Sequence, residues 1–256
     1  MTEASELISA LSAGEFIFLA LSALIAGLAR GFSGFGGALI FVPLASSVIG
    51  PKLAVPILLV IDMMLTLTMI PNAWRKAERP SVGTMALGAA IGIPAGAYLL
   101  TAVDPVAIRW GIAAVVFALL VLLISGWRYH GKPNVPTTIA VGMTSGVFSG
   151  AAQIGGPPVV AYWLGGFIPA VTVRANTVLY FAISSVISLV SYLMGGLITL
   201  EALRLSLLVG PAFGIGLYFG SRMFGRSDEK LFRRVCFALI AAAAIIGLPV
   251  LDGVLR

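Results

Sequence analysis

The sequence has 256 residues, of which 59% are hydrophobic and 10% are charged, whereas soluble domains contain about 25% charged residues. Together with a mean hydropathy of +1.07, this composition excludes a sizeable soluble domain and predicts an all-α polytopic membrane protein. The apolar runs are long and do not alternate, which argues against a transmembrane β-barrel. The net charge of +6 is expected to come from basic loops on one side of the membrane, and no nucleic-acid partner is expected.

Runs without charged residues divide the chain into ten apolar segments. They are residues 16–29, 37–50, 53–71, 81–102 and 110–127, two passes within 133–173, and then 175–200, 205–221 and 235–251. If successive segments cross the membrane alternately, most of the 16 Lys and Arg residues fall on one side. An excess of Lys and Arg marks the cytoplasm, so both termini are predicted to lie outside.

Two glycine-rich clusters interrupt these segments, one from Arg30 to Gly37 and one from Phe148 to Pro158. Such breaks expose backbone polar groups, which the bilayer tolerates only where they line a cavity or are buried in protein. The segment 37–50 would span roughly 21 Å as a helix, less than the roughly 30 Å of a bilayer core. Each cluster therefore either separates two full spans or joins the halves of a re-entrant pair. We interpret the two clusters as the halves of one substrate site.

The two halves of the chain resemble each other. Gly36-Gly37 recurs as Gly155-Gly156, and Gly92-x-x-x-Gly96 recurs as Gly216-x-x-x-Gly220. Glycines spaced four apart are expected to allow close helix packing. Each half has an odd number of crossings, so the second copy must be inverted, as in many secondary transporters.

The fold class is therefore predicted to be two inverted-topology repeats within a single membrane domain. The first repeat covers residues 1–130 and the second covers residues 131–256. Each repeat is expected to contain a glycine-broken helix pair and three transmembrane helices.

A helix that begins within the membrane points free N–H groups and the positive end of its dipole into the cavity. Such an end binds an anion without a positive side chain, and both clusters lead into a new helix, near Gly37 and Pro157. We therefore predict a site for a small anion, in which Asn176 either lines the cavity or caps a helix. The predicted binding residues are Ser33, Gly34, Gly36, Gly37, Ser149, Gln153, Gly155, Gly156, Pro157 and Asn176.

Three charged residues have two interpretations each. Asp62, the only acidic residue at the centre of a predicted span, either couples transport to protons or another cation, or is hydrogen bonded to a neighbouring helix. Arg30 and Arg174 either attract anions to the cytoplasmic mouth or extend to the membrane interface.

The chain has one cysteine, Cys236, and one histidine, His130. A single cysteine excludes an internal disulfide and a multi-cysteine metal centre, so we expect no metal and no cofactor. An intramembrane protease would need a Ser/His pair, a zinc motif or two mid-span carboxylates. The sequence therefore predicts that the protein is not an enzyme.

The pattern from Gly34 through Ala38 to Pro43, repeated as Gly150 through Pro158, resembles the sulfite exporter TauE/SafE family of membrane permeases. The resemblance covers nearly the whole chain and implies a multi-pass permease of the bacterial inner membrane. With the charge distribution above, both termini are then expected to be periplasmic. Family members often have a third glycine where Ala38 and Pro157 stand, and Gln153 replaces another expected glycine.

Taken with the resemblance, the sequence predicts a secondary transporter, expected to export sulfite, sulfoacetate or other organosulfonates. Proton-coupled uptake of a small carboxylate or sulfonate, and an anion channel, remain as alternatives. The expected partners are a small anionic substrate and the lipid bilayer. Proton or cation coupling and a homodimer are left open.

Overall fold

A computed structural model describes residues 11–129, 131, 133–165, 168–223 and 229–255, all helices, turns and loops without a strand. His130 and both chain termini lie outside the described residues. The helices are α1 (Ala13–Ser33), α2 (Gly37–Ile49), α3 (Pro51–Thr66), α4 (Ile70–Lys76), α5 (Arg79–Ala102), α6 (Pro105–Ser125), α7 (Val135–Ala152), α8 (Gly156–Gly165), α9 (Ala170–Met194), α10 (Leu200–Met223), α11 (Glu229–Ile246) and α12 (Asp252–Leu255).

Five of the described helices are long and apolar enough to cross a membrane, namely α1, α5, α6, α9 and α10. Helices α3 and α4 form a pair bent by 70°, which would give a sixth span. Helix α2 and the segment Arg234–Ile246 of α11 are apolar but shorter. The prediction of an all-helical, multi-pass membrane protein is confirmed.

The helix ends follow local sequence signals. Ser12 and Glu15 form a reciprocal capping box at the start of α1: the Ser12 hydroxyl accepts from the Glu15 N–H at 3.2 Å, and the Glu15 carboxylate accepts from the Ser12 N–H at 2.9 Å. Asn134 caps α7 by accepting from the Thr137 N–H at 2.9 Å. Side-chain acceptors of this kind satisfy N–H groups that have no partner within the helix.

The chain divides into two compact units. The first comprises Met1–Ile61, Val103–Leu120 and Gly196–Arg256, and the second comprises Asp62–Ala102 and Val121–Gly195. Each unit thus contains chain from both predicted repeats. The division into repeats stays a prediction, because the units are defined by contacts and not by internal similarity.

In the first unit, α1 packs against α10 through glycines. A Cβ atom at Gly27 or Gly31 would overlap the backbone of α10, and one at Gly216 or Gly220 would overlap the backbone of α1. Successive turns of α1 meet successive turns of α10, so the two helices run parallel. Helix α2 folds back beside α1, where a Cβ at Gly37 would stand 3.1 Å from the Ala26 carbonyl oxygen.

The second unit contains the same kind of contact between α5 and α7. Gly88, Gly92 and Gly96 on α5 lie against the backbone of α7, and α7 contributes Gly142 and Gly150 to the same contact. The helix that precedes each glycine-rich break is therefore packed at backbone distance on a Gly-x-x-x-Gly helix. This confirms the close-packing interpretation of these glycines.

An ion pair connects α6 to the C-terminal turn of the first unit. Arg109 is 8% exposed and donates to both carboxylate oxygens of Asp252, at 2.6 and 2.8 Å. It also donates to the Gly247 carbonyl at 3.1 Å. Bidentate Arg–carboxylate pairs are among the stronger polar contacts, so this pair fixes the chain after α11.

We expect Gly92→Ala to destabilise the second unit. The added Cβ would overlap the Met143 carbonyl and stand 2.9 Å from the Val147 nitrogen, and forced overpacking costs about 1–3 kcal/mol. The unfolding temperature in detergent should fall by several degrees. Gly83→Ala on the same helix is the control, because its Cβ would meet nothing within 4 Å. Equal unfolding temperatures for the two variants would contradict the proposed contact.

Candidate functional site

The first break is closed by its own polar groups. Helix α1 ends at Gly34, whose φ of 83° lies in the left-handed region that glycine adopts without strain. The Ser33 hydroxyl donates to the Ala29 carbonyl at 2.7 Å and accepts from the N–H groups of Phe35 at 3.4 Å and Gly36 at 3.2 Å. Ser33 therefore already occupies the first donors that the break exposes.

Arg30 closes the other side of this break. Its guanidinium donates to the Gly34 carbonyl, and it lies in the last turn of α1, where a positive charge is favoured by the helix dipole. The structure thus gives Arg30 a capping role. Its predicted role in attracting anions stays a prediction.

The start of α2 has backbone donors without an acceptor in their own helix. The N–H groups of Gly37, Ala38 and Leu39 lie in the first turn, where no intrahelical acceptor exists. No acidic residue lies in this turn and no side chain caps it. The positive end of the helix dipole is therefore not offset by a negative side chain at this position.

The second break begins at Gln153, which ends α7 with a φ of 58°, an uncommon conformation for a residue with a side chain. Its Nε2 donates to the Ser149 carbonyl at 3.0 Å and to the Tyr192 hydroxyl at 3.1 Å. The Tyr192 hydroxyl in turn donates to the Gly150 carbonyl at 2.7 Å. These contacts hold the left-handed residue in place.

A buried serine supports the far side of the same break. The Ser145 hydroxyl donates to the Gly155 carbonyl at 2.6 Å and accepts from the Tyr180 hydroxyl at 3.0 Å. Ser145 and Tyr180 are both 0% exposed. A Cβ at Gly155 would overlap Ser145 and the Ser149 hydroxyl, so only glycine fits at this position.

Helices α7 and α8 form a hairpin around this break. The Tyr162 hydroxyl on α8 lies 2.6 Å from the Thr138 hydroxyl on α7, and Ser145 meets Gly155 nearer the turn. The Tyr129 N–H, which precedes α7, donates to the Ala161 carbonyl at 3.2 Å. Helix α8 therefore runs back beside α7, a geometry that two full spans and a re-entrant pair would share.

The N-terminus of α8 has fewer donors than that of α2. The helix starts at Gly156, so Pro157 and Pro158 are its second and third residues, and proline has no N–H. The prediction that the two prolines begin a helix after the break is confirmed. The two breaks therefore differ in the number of donors they can offer to an anion.

Asn176 caps a helix in this structure. Its side chain is 0% exposed, and its Oδ1 accepts from the Glu78 N–H, at the start of α5, at 2.7 Å. A surface cavity of about 580 Å³ lined by residues 77–81 lies at this end of α5, and none of the predicted binding residues lines it. The Asn176 Nδ2 is buried without a hydrogen-bond partner among the described residues. The capping contact is therefore observed, and the predicted role of Asn176 in lining a cavity stays a prediction.

The predicted charged residues lie in different surroundings. Asp62 is half-buried in α3 and accepts a long contact of 3.5 Å from the Thr66 hydroxyl on its own helix. Arg174 is exposed on α9. Neither observation decides between the functional and structural interpretations of these residues.

The structure groups the predicted binding residues by unit. Ser33, Gly34, Gly36 and Gly37 lie together in the first unit, and the residues from Ser149 to Pro157, with Asn176, lie in the second. That the two groups form one site stays a prediction.

Sequence reasoning missed the roles of Ser145, Tyr180 and Tyr192 at the second break. A signal was present in α9, where polar residues recur every fourth position from Asn176 to Tyr192.

A comparison with protein families also indicates a membrane transporter. The model of the family described as sulfite exporter TauE/SafE matches residues 19–246, a range that contains both breaks and every predicted binding residue. No curated protein and no solved structure is detectably similar to the chain. Because the family match covers nearly all of the 256 residues, the chain belongs to the TauE/SafE family.

Proposed function

We propose that this protein is a secondary transporter that exports small sulfur-containing anions, such as sulfite, sulfoacetate or other organosulfonates, across the bacterial inner membrane. Its family indicates a membrane transporter of sulfur compounds. The observation that carries the proposal is the start of α2 at a break, with three N–H groups and no acidic residue in its first turn. Such an end binds anions.

The first break is the stronger anion-binding half in this proposal. It offers the N–H groups of Gly37, Ala38 and Leu39, whereas two of the first three residues of α8 are prolines. The second break contributes Gln153 and Ser149, whose side chains lie at the turn between α7 and α8.

An inverted repeat explains why the two units are built alike. In each unit, the helix before the break packs at backbone distance on a helix that carries Gly-x-x-x-Gly. In each case the partner helix comes from the other half of the sequence. Two repeats related by an axis in the membrane plane would exchange partners in this way.

Proton-coupled uptake of a small carboxylate or sulfonate is the second candidate function. Asp62 favours it, because an ionisable residue in an apolar helix is costly and marks proton or ion pathways by default. Export and uptake differ in direction and in the role of Asp62, but not in the anion-binding half-sites.

Flux in proteoliposomes tests the proposed function. Sulfite, sulfoacetate and a small carboxylate are compared, each with and without a pH gradient. Saturable flux that accumulates sulfite or sulfoacetate against its own concentration gradient supports a coupled transporter. Passive flux without saturation supports a channel, and flux of the carboxylate alone rejects the proposed substrates.

Two substitutions test the site by removing a backbone N–H at the first break and by adding one at the second break. Ala38→Pro removes a free N–H from the first turn of α2, where proline is tolerated. We expect its KM for sulfoacetate to rise about tenfold, because a hydrogen bond to a charged group contributes about 1.5–3 kcal/mol. Pro157→Ala, which adds an N–H at the equivalent position, should leave KM unchanged or lower it. An unaltered KM in Ala38→Pro would reject the first break as the anion site.

Asp62→Asn tests coupling. If Asp62 carries the coupled proton, flux of the variant should no longer respond to a pH gradient, because the amide does not titrate. The flux of the same substrate without a gradient serves as the control for folding. An undiminished pH response would assign Asp62 a structural role.

Thiol labelling tests the proposed orientation, in which the loop after α4 is cytoplasmic and both termini are periplasmic. Glu78 is exposed in this loop, and Cys236 is the only native cysteine. In a Cys236→Ser background, Glu78→Cys should react with an impermeant reagent in inside-out vesicles and not in right-side-out vesicles. Reaction only in right-side-out vesicles would invert the topology.

A further inference from the structure

Helix α9 carries a ridge of five buried polar side chains, none more than 5% exposed. They recur every fourth residue and are Asn176, Tyr180, Ser184, Ser188 and Tyr192. Residues four apart in a helix are neighbours on its surface. The ridge extends about 24 Å along the helix axis, which is most of the thickness of a bilayer core.

The two tyrosines of this ridge form hydrogen bonds at the second break. Tyr180 reaches the Gly155 carbonyl through Ser145, with hydrogen bonds of 3.0 and 2.6 Å. Tyr192 donates to the Gly150 carbonyl at 2.7 Å. Ser184 and Ser188 lie between these two tyrosines on the same ridge.

Ser188 differs from Ser184 and Ser191 on the same helix. Its hydroxyl has no hydrogen-bond partner among the described residues, and the residue is 1% exposed. In contrast, Ser184 donates to the Phe181 carbonyl at 3.1 Å and Ser191 donates to the Ile187 carbonyl at 2.9 Å. A buried hydroxyl without a partner is costly, and exceptions of this kind call for an explanation such as a ligand.

We propose that the Ser188 hydroxyl, on the polar ridge of α9, donates a hydrogen bond to an oxygen of the bound sulfite or sulfonate group. This inference rests on the proposed function. It assigns a donor to the half-site that has the fewest backbone N–H groups, because Pro157 and Pro158 have none. A neutral hydroxyl binds an oxyanion without requiring a buried positive charge.

Transport kinetics test the role of Ser188 against a matched control. Ser188→Ala should raise the KM for sulfoacetate about tenfold, the effect expected for loss of a hydrogen bond to a charged group, with little change in Vmax. Ser184→Ala removes a hydroxyl from the same ridge, but one that already donates to α9 itself, so its KM should stay within about twofold of the wild type. Ser188→Thr keeps a hydroxyl and should restore most of the affinity. Equal KM values for Ser188→Ala and Ser184→Ala would overturn the inference.

A labelling experiment tests the same site without relying on flux. In a Cys236→Ser background, Ser188→Cys is treated with a methanethiosulfonate reagent that carries a sulfonate group. The cysteine thiolate attacks the sulfenyl sulfur, a mixed disulfide forms and methanesulfinate leaves. We expect modification that excess sulfoacetate slows at least tenfold, whereas Ser184→Cys should show weaker protection.

The outcomes separate this inference from the proposed function. If sulfoacetate slows the labelling but the protein transports none of the tested anions, the Ser188 site is supported and transport of those anions is rejected. Absence of modification, or modification that sulfoacetate does not slow, would reject the Ser188 site even where the wild type transports sulfoacetate.

Discussion

A bilayer core supplies no water, so backbone groups at a helix break within it must be paired by the protein or line a cavity. This constraint explains the polar residues around each break. At the first break, Ser33 and Arg30 bond the exposed N–H and carbonyl groups. At the second, Ser145 and Tyr192 bond the carbonyls of Gly155 and Gly150. The first turn of α2 then has N–H groups with no acceptor in their own helix.

Close glycine contacts determine where these breaks are held. The α1 and α7 helices, which precede the two breaks, each lie at backbone distance from a partner helix, because glycines leave no Cβ between them. Apolar side chains gain little by leaving lipid for a protein contact, so van der Waals packing of this kind dominates association in a membrane. The same contacts that stabilise each unit therefore fix the position of the helix end that leads into its break.

The breaks share a plan but differ in chemistry. The first has a serine at the turn and free N–H groups at the start of α2, whereas the second has a left-handed Gln153 and the prolines of α8. Helix dipoles favour an anion at either end, but proline removes the hydrogen-bond donors that would orient it. Side-chain hydroxyls can replace those donors, and Ser188 of α9 is the hydroxyl that we propose for this role.

From the sequence alone, the all-helical membrane class, the family and the positions of both breaks could be predicted. Composition and charge-free runs are sufficient for a membrane helix bundle, and the glycine-rich motifs are local signals that need no tertiary contact. The tertiary structure decided that Asn176 caps α5, that α8 folds back along α7, and that Tyr180 and Tyr192 support the second break. Each of these contacts joins residues that are distant in the chain. The sequence shows that a polar side chain lies in an apolar helix, but it does not show whether that side chain bonds a backbone carbonyl, another helix or a ligand. The packing of the helices determines the hydrogen-bond partner, because it brings one acceptor within bonding distance of the side chain and keeps other acceptors away.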